Sequence, residues 1–254
     1  FNLAWRIVCL EIELIYSSLD VAGKNIASKI SKECNYKLTE VNESLLTFNP
    51  KEKNKIYLFL SKHKSKERVK ALTCHHPANW TSFSEYGGES FNCSFCAPSV
   101  IKGLAQEIQK RMGRLEEYEF TLEVSHHGPT PDVPVIFVEI GSCEEDWGNE
   151  IAGEIIAESI MEFKPSIEGE IVMGVGGPHY APNFTKWLKE YRIGHVIPKY
   201  AVDELNYDAF VKGIEKSTEK IERILIDWKG LNPEQRIKII DFCDKYGIEY
   251  IKKR

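Results

Sequence analysis

The sequence predicts an α/β fold with helices packed on the faces of a sheet, and three observations carry that expectation. Short runs rich in β-branched residues alternate from end to end with segments whose apolar residues recur at helical spacing. The helical segments have recognisable start and stop residues. The composition is that of an ordinary globular chain, 43% hydrophobic and 28% charged over 254 residues, which suffices for a sizeable core.

In order, the strand-like runs are residues 6–15, 56–61, 69–73, 120–124, 135–140, 171–175, 196–198 and 224–227, each bounded by polar, Gly or Pro positions. Pro98 suits a helical first turn, followed by Ile101, Leu104, Ala105, Ile108 and Met112 at helical spacing, with Gly113 as the stop. Ser142 and Glu145 read as a capping box. The box opens a helix with Trp147, Ile151, Ile155 and Ile160 inward, ended by Pro165. Asn232-Pro233 opens a last helix through Ile237, Ile240 and Cys243, closed by Gly247. With no repeat, low-complexity tract or clear linker, 1–254 reads as a single domain.

Thirty-three Lys and Arg against 38 Asp and Glu give a net charge of −5. That excludes a highly basic nucleic-acid coat, although local charge matters more than the sum. No run of about 18 apolar residues is present, so no membrane span is expected. Residues 1–19 are apolar, but Arg6, Glu11 and Glu13 interrupt them and no small-residue cleavage site follows. They read as a strand rather than a signal peptide. Beginning at Phe, the chain is expected to lack a few residues at its start. Seven cysteines, an odd number over a long chain, point to a reducing compartment rather than a disulfide framework.

The histidines are the informative residues. Five of seven fall where a strand-like run ends: His75, His76, His126, His127 and His179. Ligands bind open α/β sheets in the crevice beyond the strand ends, so these rings could build one site; the bland alternative is a set of turn or core histidines. Imidazole beside a carboxylate is a zinc or general-base environment. Glu139, amid Ile136, Phe137, Val138 and Ile140, is the best-placed acid, buried with a partner or turned to solvent by the alternation. Cys93 and Cys96 form a lone CxxC, read as buried small hydrophobes.

Residues 174–182, Gly-Val-Gly-Gly-Pro-His-Tyr-Ala-Pro, end a strand in a Gly-rich turn whose amides could approach an anion or merely permit the turn. Lys62, Lys64, Lys66, Arg68 and Lys70 recur at every second residue. If extended, they form one cationic edge, either a solvated guard against aggregation or a track for phosphates. Lys252, Lys253 and Arg254 add basic surface.

Several of these residues lie in a longer series. Asn79-Trp80 follows His75; then come His126-His127-Gly128-Pro129-Thr130, Glu139-Ile140-Gly141-Ser142 running to Trp147, the 174–182 turn, Gly194-His195, Pro198-Lys199-Tyr200-Ala201 and Asp227-Trp228-Lys229-Gly230. In this ordered series the sequence resembles the D-aminoacyl-tRNA deacylases of archaea and plants, over nearly its whole length. It departs from them at Pro178, where Gly is usual, at His76 and Pro77, and in the Cys93 and Cys96 pair.

The resemblance implies a three-layer α/β/α core with a mixed sheet, similar to nucleoside phosphorylase and peptidyl-tRNA hydrolase cores. It implies a cytoplasmic monomer that uses zinc to hydrolyse the ester between a D-amino acid and the terminal ribose of tRNA. On that reading His75, His126 and Glu139 are metal ligands, and His127 and His179 are base and proton shuttle. Thr130 and Tyr180 hydrogen-bond the ribose or amino group, and Gly176 and Gly177 face the carbonyl or terminal phosphate. Asn79 and Lys199 bind substrate, and Trp80 stacks on the terminal adenine. The rival expectations are a peptidyl-tRNA hydrolase, a phosphorylase-like enzyme, or a non-catalytic, zinc-stabilised tRNA-binding protein.

Overall fold

The computed structural model describes residues 10–66 and 68–254. The chain runs β1 (Glu11–Ser17), α1 (Val21–Lys29), β2 (Lys37–Val41), β3 (Lys55–Lys62), β4 (Ala71–His75), β5 (Ala78–Asn79), β6 (Asn92–Cys93), α2 (Pro98–Arg111), β7 (Glu119–Leu122) and β8 (Val135–Gly141). It continues through α3 (Glu144–Trp147), α4 (Glu150–Glu162), β9 (Glu170–Val175), α5 (Pro182–Trp187), β10 (Tyr191–Ile197), α6 (Tyr207–Glu215), β11 (Arg223–Asp227), α7 (Pro233–Tyr246) and β12 (Tyr250–Lys253). The expected α/β fold with a mixed sheet is what these strands form. Of the run 6–15, residues 6–9 lie outside the described residues.

Two large sheets result, a division that alternation alone does not reveal. The first has order β2-β1-β3-β8-β4-β7, parallel except where β4 meets β8. The second, β10-β9-β11-β12, is wholly parallel, and β5 and β6 make a small antiparallel pair. The largest core cluster takes Leu60, Leu72 and Val138 from the first sheet, Val172, Val196 and Leu225 from the second, and Val100, Leu104 and Ile108 from α2. Helix α2 thus seals the two sheets together, each such side chain contributing roughly 1.5–3 kcal/mol on burial.

Local details correct several expectations. The capping box is one residue later than read: Cys143 and Asp146 form it, while the Ser142 amide donates to Asp146 Oδ2 at 2.8 Å. The helix expected beyond it is two, α3 and α4, and Ile151 is exposed. In α7 the Asn232 cap and left-handed Gly247 stand, but Ile239 and Cys243 face the core and Ile237 faces solvent. The lysine series is no strand edge, because β3 ends at Lys62 and Arg68 has φ 54°. Lys62 lies over the Trp147 ring, and Lys70 pairs with Glu117.

Candidate active site

The site grows from strand alternation. Successive side chains point to opposite faces, so Leu60, Leu72, Cys74, Leu122 and Val138 enter the main core. The residues between them, Ser61 and His63, Thr73 and His75, Thr121 and Glu123, Phe137 and Glu139, share the other face. The register sets Glu139 opposite both Ser61 and Thr73, and Thr73 opposite Thr121. The ladder continues past two strand ends: the His63 amide donates to Ile140 O at 3.0 Å and the Glu123 amide to Cys74 O at 3.1 Å. At one end of this face Ile15, Phe59, Val135 and Phe137 form an apolar cluster; at the other, polar groups gather.

There His63, His75, Glu123 and Glu139 are buried, with His126 and His127 arriving on the loop after β7 and His179 on the loop after β9. Glu123 is the hub. Its Oε1 is 3.0 Å from His63 Nδ1, and its Oε2 is 3.4 Å from His179 Nε2, 3.5 Å from His126 Nε2 and 3.7 Å from His75 Nδ1. Glu139 Oε2 is 3.7 Å from both His63 Nδ1 and His75 Nδ1, and Ser61 donates to Glu139 Oε1 at 2.5 Å.

Hydrogen bonds fix two ring tautomers. His126 Nδ1 lies 2.9 Å from Val124 O and His127 Nδ1 2.6 Å from Gly128 O. A carbonyl only accepts, so both Nδ1 atoms carry the proton and both Nε2 atoms are bare. The bare Nε2 of His126 then faces a carboxylate, and that of His127 faces His75 Nε2 at 3.3 Å. If His75 donates there, its Nδ1 is bare before two carboxylates. His75 Nδ1, His63 Nε2, both Glu123 oxygens and Thr73 Oγ1 are buried without a hydrogen-bond partner. The bare His126 nitrogen and a Glu123 oxygen are acceptors facing one another, an arrangement a cation satisfies.

Charge follows the same geometry. Burial, with neighbouring rings adding repulsion, pushes His75 and His126 well below the usual imidazole range, and burial brings His127 to about 4. Burial also disfavours a charged His63, but Glu123 and Glu139 beside it overcome that and lift it to about 9. Burial opposes ionisation of Glu123, yet His63, His179 and His126 hold its pKa below the ordinary carboxylate value; burial and the Glu123 charge raise that of Glu139. Three donor sets each keep their ligand atoms within 4.8 Å of one another: His75, His126 and His127; His63, Glu123 and His179; His75, Glu123 and Glu139.

Four of the five strand-end histidines therefore converge. His76 instead accepts from the Ala97 amide at 3.0 Å and packs on His195. Among the expected ligands, His126 and Glu139 belong to different donor sets, with Glu123 between them. His63 and Glu123 were not expected. The signal for them was present as a polar residue at every second position across four runs, Ser61-x-His63, Thr73-x-His75, Thr121-x-Glu123 and, with one aromatic, Phe137-x-Glu139.

A cavity of about 280 Å³ opens on His126, His127 and His179, the last 38% exposed at its side chain. Other expected contacts are placed differently. Trp80 lines this cavity, but it is buried against His195 with its indole N–H donated to Ser125 O at 2.8 Å, so it offers no open face for a base. The rings standing open there are Phe83, Tyr86 and Tyr200. Asn79 lines the wall while spending its amide N–H groups on Gly87 O and Glu89 O, and Thr130 accepts from the Glu89 amide at 2.9 Å. Both residues tether the 87–89 loop. Gly176 and Gly177, at φ 115° and 83°, permit the turn. The Gly176 amide is used on Ile197 O, so it faces no ligand, while Gly177 and Lys199 line a second, larger cleft. Tyr180 lies beside His63 and His179, its hydroxyl 3.3 Å from Ser142 Oγ. Cys93 and Cys96 are buried and free, as expected of small hydrophobes.

Comparison with known proteins adds to this geometry. A family model described as D-aminoacyl-tRNA deacylase matches residues 50–251. Relatives called D-aminoacyl-tRNA deacylase include one from Ignicoccus hospitalis, 33% identical over 95% of this chain and 99% of the relative. One from Methanocaldococcus jannaschii is 36% identical over 93% of this chain and 97% of its own. A solved structure, described as that of the conserved protein of unknown function AF0625, superposes with a TM-score of 0.87 at 27% identity, covering 96% of this chain and 95% of that one.

Proposed function

Since this chain belongs to the D-aminoacyl-tRNA deacylase family and hydrolyses the ester bond between a D-amino acid and tRNA, we propose that it does so with zinc held in the buried imidazole and carboxylate cluster. The observation that carries this reading is an acceptor facing an acceptor: the bare Nε2 of His126, its tautomer fixed by a backbone carbonyl, faces Glu123 Oε2 with no proton between them. Nitrogen and oxygen donors suit zinc, and a carbonyl holding the far nitrogen of each ring is the usual support of a metal-ligating histidine. His75, His126 and His127 would hold the ion, with Glu123 and Glu139 balancing its charge.

When bound, zinc supplies Lewis acidity towards an ester carbonyl and lowers the pKa of water to about 7. The remaining work falls to the chain. His179 stands at the cavity mouth with its Nε2 facing Glu123, which leaves Nδ1 to take a proton from the attacking water and return it to the departing ribose oxygen. Glu123 orients that ring and stabilises the imidazolium as it forms. The cavity walls exclude bulk water and decide which side of the α-carbon meets the nucleophile. A second reading makes His179 a ligand in the set His63, Glu123 and His179.

We read the enzyme as cytoplasmic and monomeric, as the resemblance implies. The six described cysteines are all free, as a reducing compartment leaves them. Among the described residues no helix is long and apolar enough to cross a membrane. The test is metal removal. Chelated protein should lose deacylation of D-Tyr-tRNA and regain it with zinc, while L-Tyr-tRNA stays intact throughout. Full activity in protein shown metal-free by elemental analysis would overturn the zinc reading and leave the family membership standing.

A further inference from the structure

The cavity over the histidines is not the largest opening in the molecule. Beside it, at the carboxyl ends of β9, β10 and β11, lies a cleft of about 550 Å³ lined by Gly177, Lys199, Asp203 and Gln235 among others. That is where parallel sheets bind ligands, and nothing in the deacylation chemistry uses it. The two openings share one wall residue, Tyr200. Neighbours in sequence divide between them: Pro178 and Lys199 face the cleft, His179 and Ala201 the histidine cavity. The two openings meet at Tyr200, so a nucleotide chain whose last ribose reaches His179 can continue past that ring into the cleft.

Its wall is mostly apolar surface, set with a few polar groups of mixed charge. Lys199 is exposed, with its ammonium in no ion pair among the described residues. Gln235 Nε2 donates to Asp203 Oδ1 at 3.1 Å and to Lys199 O at 3.2 Å, and Asp203 Oδ2 takes no hydrogen bond among the described residues. A cation beside a carboxylate suits a ligand that presents both a phosphate and an amino group. A carboxylate accepts from the N4 amino group of cytosine and repels the O4 of uracil. Every tRNA carries cytidine before its terminal adenosine.

We propose that this cleft is a subsite for the cytidine preceding the terminal adenosine. Lys199 meets the connecting phosphate, Asp203 reads the cytosine amino group, and Tyr200 separates this nucleotide from the aminoacylated one. The proposal rests on the deacylase reading and deepens it. The test compares three D-tyrosyl esters: of adenosine, of the dinucleotide cytidylyl-adenosine, and of uridylyl-adenosine. The cytidylyl ester should have the highest kcat/KM, about ten-fold above the uridylyl ester, and the uridylyl ester should exceed that of adenosine because it carries the phosphate that Lys199 meets. Asp203→Ala should erase the preference for cytidine over uridine, and Lys199→Ala should shrink the advantage of both dinucleotides over adenosine. Equal kcat/KM for all three esters in the wild type overturns the subsite while leaving the deacylase intact, as does a cytidine preference that survives Asp203→Ala. Hydrolysis of none of them by enzyme that deacylates D-Tyr-tRNA overturns the subsite, because recognition then rests on the tRNA body, while failure on D-Tyr-tRNA as well overturns the deacylase reading.

Discussion

The two large sheets are built from similar β-branched strands, yet among the described residues the second buries only His195 and Asp227 as polar side chains near its strand ends, while the first lines up polar side chains across four neighbouring strands. In the second sheet, Ile171, Met173, Val175, Ile224 and Ile226 pack on one side and Val172, Val196 and Leu225 on the other, as a parallel sheet buried on both faces requires. In the first, one side is equally apolar, while the other alternates into serine, threonine, histidine and glutamate. The first sheet also contains its own control. Glu13 is as buried as Glu123, but Lys55 at 2.8 Å, Lys37 at 2.9 Å and Thr39 at 2.7 Å satisfy it from within the protein. Glu123 has four rings around it, and one of them, His126, turns a bare nitrogen towards it. A buried acid with its own cations is architecture; one that faces a bare imidazole nitrogen leaves room for a cation.

The largest effect should come from the ring that the second sheet lends to the first. His179→Ala should lower kcat on D-Tyr-tRNA by about 100- to 10,000-fold with little change in KM, since proton transfer acts in the transition state. Metal content should be retained; loss of metal in the variant would make His179 a ligand instead of a proton carrier.

A smaller effect bears on whether the sheets are one unit. Leu60→Ala in the first sheet and Ile226→Ala in the second should each cost about 2–5 kcal/mol. Both should shift a single calorimetric transition, because one core cluster draws on both sheets. Two resolved transitions would separate the sheets energetically.

The smallest concerns the control carboxylate. Burial would raise the Glu13 pKa, but Lys55, Lys37 and Thr39 bring it down to about 2 from an ordinary 4.5. A depressed carboxylate stabilises the fold above its unfolded pKa and loses that contribution as pH falls through the folded value. Melting between about pH 7 and pH 2 should therefore show wild type losing up to about 3 kcal/mol relative to Glu13→Gln. Parallel curves would show that Glu13 keeps an ordinary pKa.

The sequence carried the α/β class, most strand positions, the α7 cap and the histidines at strand ends, because each is written in local periodicity or turn chemistry. His63 escaped because it follows its strand within a lysine-rich loop, where the eye reads charge. Glu123 escaped because a lone acid at a strand end looks like any other until the register of β4, β7 and β8 is known. The indole N–H of Trp80 is spent on Ser125 O, the amide N–H groups of Asn79 on the 87–89 loop, and an acceptor lone pair of Thr130 on the Glu89 amide. Which hydrogen bonds a residue has already made is a tertiary fact. The split into two sheets is tertiary as well.

Among the described residues, His179 is the only member of the cluster that comes from the second sheet. Its loop is pinned to the first sheet by the Val124 amide on His179 O at 3.0 Å and the Ala181 amide on Leu122 O at 2.8 Å. Those two bonds work as a seam. An ion on His75, His126 and His127 would tie the loop after β7, which carries Val124 and so one side of that seam, to the end of β4. Its release would loosen the seam before it unfolded either sheet. The first mark of lost metal should be hydrogen exchange at the amides of Val124 and Ala181, with the interior of β3 and β9 still protected.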